Sequence, residues 1–96
     1  MAKAFRVQST SGFDRLAKAF RKRHREFPDV FDHAVAILEK DPLNHTRKHP
    51  IGKLSHVKPG DGQYRLRLGR WRFRYDVSGA KVTLRYCGLR REDTYR

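Results

Sequence analysis

An α+β fold, with two helices packed on one face of an antiparallel sheet, is what this sequence predicts, and three observations carry that expectation. Apolar residues recur twice at helical spacing between residues 10 and 41. From Gln63 onward the pattern changes to alternation, in three runs separated by glycine-containing turns. The chain of 96 residues has no internal repeat and no low-complexity stretch, so these patterns belong to a single domain over residues 1–96.

In order along the chain, "KAFRVQS" sets Phe5 and Val7 against Arg6 and Gln8, which predicts a short opening strand. In "TSGFDRLAKAF", Thr10 or Ser11 can cap a helix whose apolar stripe is Phe13, Leu16, Ala17 and Phe20. The run "RKRHR" falls at that helix's end, where positive charge suits the helix dipole. Pro28 opens a second helix with Phe31, Ala34, Val35 and Leu38 on its buried side, and "KDP" stops it at Lys40 to Pro42. Periodicity is then lost from Leu43 to Asp61, which reads as connection. Strands follow at Gln63 to Leu68, Trp71 to Val77 and Lys81 to Gly88, an antiparallel three-stranded meander.

Strand side chains alternate between faces. Tyr64, Leu66 and Leu68 therefore share the helix-facing side with Trp71, Phe73, Tyr75 and Val77, and with Val82, Leu84 and Tyr86. The opposite side carries Arg65, Arg67, Arg72, Arg74 and Arg85, together with Asp76 and Thr83, and the same alternation puts Cys87 there. Arginines directly across strands repel one another. A solvated face is the plain alternative. The guanidinium fork matches phosphate oxygens better than an ammonium does, which favours a phosphate-binding surface.

Global charge points the same way. Lys and Arg number 23 against 10 acids, a formal charge of +13, so a polyanionic partner is expected. No segment has the length of a membrane span, no leader-like apolar run opens the chain, and no helix has the amphipathic form of a membrane-surface binder, so no membrane partner is expected. One cysteine cannot form an internal disulfide, which fits a cytoplasmic location. His45, His49 and His56 lie in one basic segment at loose spacing without acidic or thiol neighbours, so neither a metal nor another cofactor is expected. Past the last strand, "CGLRREDTYR" brings Arg90, Arg91 and Tyr95 to the rim of the arginine face. An aromatic there can stack on a base, move a proton or close the end of the core.

With "YRLRLGRWRFRY" and "GLRREDTYR" in this order behind two helices, the chain resembles the RelE/ParE superfamily of toxins from type II toxin–antitoxin systems, over nearly its whole length. The resemblance implies one of two activities. RelE-type members are ribosome-dependent mRNA endoribonucleases that inhibit translation; ParE-type members share the fold and inhibit DNA gyrase. On the RelE reading, the implied site is Arg65, Arg67, Arg72, Arg90 and Tyr95, and the implied chemistry is metal-free attack of a ribose 2′-OH on the adjacent phosphorus. Lys53, Arg74, Arg85 and Arg91 are candidate RNA contacts around it. Two positions depart from the best-known RelE arrangement: arginine stands at both paired positions of the first hairpin strand in place of lysine, and Ser55 follows "KL" where a basic residue often sits. Guanidinium is a poor general base, which leaves Tyr95, Glu92, Asp93, Lys53 and His56 as candidates. The resemblance also implies an acidic antitoxin in a hetero-oligomer, with ribosome and mRNA as targets. A non-catalytic RNA-binding module is the third reading that the charge allows.

Overall fold

The computed structural model describes residues 5–90. Strand β1 (Arg6–Ser9) leads into helices α1 (Ser11–Arg23) and α2 (Phe27–Lys40), followed by β2 (Ile51–Lys53), β3 (Tyr64–Leu68), β4 (Trp71–Ser78) and β5 (Lys81–Leu89). The strands form one mixed five-stranded sheet in the order β1-β5-β4-β3-β2. β1 runs parallel to β5, and every other neighbouring pair is antiparallel.

The helix boundaries follow from local chemistry. Of the two possible caps, Thr10 acts: its hydroxyl accepts from Phe13 N–H at 3.1 Å. Asp14 stands in the first turn of α1, and Arg21, Lys22 and Arg23 close its last, matching the dipole at both ends. Pro28 occupies the first turn of α2, where a missing N–H costs nothing. Phe13 and Ala17 from α1 and Phe27, Ala34, Ile37 and Leu38 from α2 are buried against Leu66, Trp71, Phe73, Tyr75, Val82 and Leu84. Ile37, not Val35, is the fully committed residue on that stretch of α2. Trp71 sits where the two helices meet the sheet, edge-on to Phe20 at 5.1 Å, with its indole N–H donating to Glu26 at 3.3 Å.

Two expectations need correction. The stretch from Leu43 to Asp61 is not mere connection. It contains β2, which pairs with β3 and makes the sheet's second edge. Around it the backbone is tied by side chains. Asp41, nearly buried, accepts from His45 N–H, Thr46 N–H and the Thr46 hydroxyl, while Asn44 bonds both the N–H and the C=O of His49.

The second correction concerns β5. Register slips between Arg74 and Tyr75: Tyr75 faces Leu84, but Arg74 faces Tyr86, so β5 holds one extra residue, Arg85. A bulge of this kind inverts the alternation beyond it. Tyr86, expected in the core, comes out on the arginine side with 46% of its surface exposed. Cys87, expected among the arginines, turns inward and is fully buried. Burial raises its thiol pKa to about 12.

Candidate nucleic-acid interface

The sheet face away from the helices carries the arginines in two cross-strand rows. One row runs Gly52, Arg65, Arg74, Tyr86; the next runs Arg67, Arg72, Gly88. Glycine at the end of each row removes a side chain where one would stand. Between the rows lies an open cleft of about 400 Å³, lined by Leu54, Arg65, Arg72, Arg74, Tyr86 and Arg90 among others.

The guanidiniums do not all have the same task. Asp76 is buried on this face, and its carboxylate accepts from three backbone N–H groups, Gly60 and Gly62 at 3.1 Å each and Gln63 at 2.9 Å. Arg85 Nε completes the set at 2.8 Å. Desolvation alone would raise the Asp76 pKa. The Gln63 N–H, the Arg85 guanidinium and the Gly62 N–H together outweigh it and hold the carboxyl below its ordinary value. Arg74 grips the same loop from the other side, donating to Asp61 C=O at 2.9 Å and to Gly62 C=O at 3.0 and 3.1 Å. Gly62 needs its glycine here: its φ is +82°, and a Cβ would come within 3.0 Å of the Arg74 Cβ. Arg74 and Arg85, expected as RNA contacts, are thus engaged in holding the loop between β2 and β3.

Arg72 differs. Its Nε is buried and finds no hydrogen-bond acceptor among the described residues. An unpaired buried donor costs about 1–3 kcal/mol, a cost that Arg74 and Arg85 avoid. Arg72 faces the exposed Arg67 across the β3–β4 pair, and Arg65 and Arg90 line the cleft beside it. The structure therefore brings Arg65, Arg72 and Arg90 together, with Arg67 next to them outside the lining. Lys53 is not with them. It pairs with Tyr64, and its ammonium lies 5.8 Å from the centroid of that ring, on the helix-facing side of the sheet. His56 is an exposed turn residue with φ +63° and does not line the cleft. Tyr95, Arg91, Glu92 and Asp93 lie outside the described residues.

Sequence reasoning missed the place of Tyr86 on this face and the role of Asp76 within it. Tyr86 was concealed by the bulge, which has no mark in the alternation itself. Asp76 has no role in the alternation, although "DGQ" (residues 61–63) is a turn whose Gly62 and Gln63 N–H groups need an acceptor, and that was the signal for a carboxylate nearby. Among the described residues no three His, Cys, Asp or Glu side chains converge in a way that could hold a metal ion, and no helix is long and apolar enough to cross a membrane.

Two helices on one face of a five-stranded mixed sheet, with a basic cleft on the other, define a small α+β domain of the RelE-like kind. The comparison with solved structures agrees: the chain is similar to the archaeal RelE–RelB complex from Pyrococcus horikoshii OT3, with a TM-score of 0.60 and 22% identity over 93% of this chain and 98% of that one. No family model matches the chain, and no curated protein matches it. The RelE-like fold expected from the sequence is the fold observed.

Proposed function

We propose that this chain is the toxin of a type II toxin–antitoxin pair and acts as a ribosome-dependent mRNA endoribonuclease. The observation that carries the reading is the clustering of Arg65, Arg72 and Arg90 in one cleft, where the buried Arg72 Nε has no acceptor among the described residues. The structural neighbour was solved as a RelE–RelB complex, which supports an antitoxin partner for this chain too. With a formal charge of +13, that partner is acidic.

The reaction is an internal transfer. The 2′-oxygen of one ribose bonds to the adjacent phosphorus, and the bond from phosphorus to the 5′-oxygen breaks. A proton leaves the 2′-OH, and another reaches the departing 5′-oxygen. The products are a 2′,3′-cyclic phosphate and a 5′-hydroxyl end. Charge grows on the non-bridging oxygens along the way, and preorganised guanidiniums in a partly desolvated cleft stabilise it. Arg65, Arg72 and Arg90 take that part, with Arg67 at the flank. None of them accepts the 2′-OH proton, because guanidinium stays protonated. Lys53 sits across the sheet and His56 outside the cleft. Glu92, Asp93 and Tyr95, in the tail that follows Arg90, are the other candidates for the proton transfers.

The test is to induce Arg72→Ala and the unaltered chain in parallel, monitor growth, and map mRNA 5′ ends. The unaltered chain should arrest growth and produce cuts in phase with codons. A folded Arg72→Ala chain should do neither. Arrest without codon-phased cuts, accompanied by inhibited gyrase supercoiling, would replace this reading with a ParE-like one.

A further inference from the structure

We infer that Tyr86 is a nucleobase-stacking residue of the arginine cleft, holding an unpaired base of a single-stranded RNA while the neighbouring guanidiniums hold its phosphate. The inference rests on the proposed nucleic-acid reading of the cleft and adds to it a residue that the resemblance does not assign.

Three observations carry it. Tyr86 is the one large apolar side chain among the described residues that stands exposed, at 46%; every other aromatic among them, from Phe5 to Tyr75, is buried or half-buried in the packing of helices and sheet. A lone exposed aromatic is ordinary by itself; what sets Tyr86 apart is where it stands. Second, its place is specific. The bulge at Arg85 turns it outward opposite Arg74, one row from Arg72, and it lines the same cleft as Arg65, Arg72 and Arg90. Third, room is made for it. The phenol end leans across Gly88, where a built Cβ would fall 2.9 Å from Tyr86 Cζ and 3.1 Å from Cε2. A side chain at position 88 would push the ring off the cleft wall.

The pairing of a ring with guanidiniums at this range fits a single-stranded nucleic acid better than a duplex. In a duplex, the bases are already stacked on one another, so their faces are closed to a side chain. In a single strand, a splayed base offers a π-face next to its own phosphate, and aromatic stacking with cationic backbone contacts is the usual way to hold it.

The experiment compares the full chain with Tyr86→Leu, Tyr86→Phe and Tyr86→Trp for binding of two fluorescent RNAs at one salt concentration. One is a short single-stranded RNA; the other has the same length and phosphates but abasic riboses. The unaltered chain should bind the base-bearing RNA more tightly by roughly 5- to 150-fold, the range of one base–aromatic stack. Tyr86→Leu should lose that preference, with its affinity for the abasic RNA unchanged; Tyr86→Phe and Tyr86→Trp should keep it. A chain that does not distinguish the two RNAs would overturn the inference and leave a protein partner as the cover for Tyr86. So would a Tyr86→Leu chain that retains the preference, or one that loses abasic binding equally, since that marks a structural role. The result is independent of cleavage: absence of mRNA cuts would remove the endoribonuclease reading with this preference intact, and the converse also holds.

Discussion

Replacing Asp76 tests the organisation of the whole arginine face. Its carboxylate is 10% exposed and receives four donors, three of them backbone N–H groups of the loop between β2 and β3 and the fourth the Arg85 guanidinium. In Asp76→Asn the shape is nearly kept, but the charge is lost and an NH₂ group is set against donors. Removing one partner of a buried charged pair costs about 3–5 kcal/mol because the other is left uncompensated. Arg85 is a third exposed and can recover some hydration, so the lower end, about 3 kcal/mol, is expected. In urea, with a slope of roughly 1–1.5 kcal/mol per molar for a domain of this size, the midpoint should fall by about 2 M or more, at unchanged slope. The pH dependence supplies an independent check. The folded-state pKa of Asp76 lies below its ordinary value, so its contribution is complete above the unfolded-state pKa of about 4 and is lost as pH falls below it. The unaltered chain should therefore lose stability in acid more steeply than Asp76→Asn. Asp61→Asn, an exposed change in the same loop, is the control, expected within about 0.5 kcal/mol of the parent. A midpoint shift for Asp76→Asn no larger than that of the control, or parallel acid curves, would refute the assignment of Asp76 as the anchor.

Three further outcomes are expected. Tyr75→Phe deletes a buried hydrogen bond of 2.7 Å to the Pro42 carbonyl and should lower stability by about 1–3 kcal/mol in a urea titration, the cost of the orphaned acceptor. Cys87, buried and with its thiol pKa raised to about 12, should resist iodoacetamide at pH 8 in the folded chain and react on denaturation, as mass spectrometry would show; quick labelling of the folded chain would contradict its inward placement. Arg72→Ala should reduce the dependence of log K on log salt for single-stranded RNA by about 0.7, the loss of one phosphate contact, while Arg85→Ala should leave that slope alone and lower the urea midpoint.

The sequence carried the helices and the three long strands because each is stated redundantly. α1 has a cap, a stripe and a basic end, and α2 has a proline at its start and "KDP" at its stop. β2 was hidden because three residues, one of them Gly52, are too few for any period to register, and its existence depends on β3 offering an unpaired edge. The bulge at Arg85 was hidden for a different reason. Alternation assumes one residue per residue across strands, and only the partner strand's register can reveal an extra one. That single insertion exchanged Tyr86 and Cys87 between the faces. The basic cleft itself was legible at Arg65, Arg72 and Arg90, with Arg67 beside it, since each lies in β3, in β4 before the slip, or just past the end of β5.

What alternation cannot express is the difference between arginines that serve the fold and arginines that serve a ligand. Arg74 and Arg85 have their hydrogen-bonding capacity drawn onto one loop, through carbonyls in the first case and a carboxylate in the second. Those bonds tie the loop between β2 and β3 to the sheet. They also neutralise part of the repulsion that a dense arginine face would suffer, because Asp76 lies within the face and not beside it. Arg72 stands next to this clamp with a buried nitrogen that finds no acceptor, in a cleft kept open by Gly88 and walled by Tyr86. A guanidinium nitrogen left without an acceptor meets an arriving phosphate more readily than one that must first give up a partner, because less reorganisation opposes the contact. Arg74 and Arg85 thus bear on the proposed chemistry only through the loop they hold, and Arg85→Ala should weaken cleavage only to the extent that it loosens that loop.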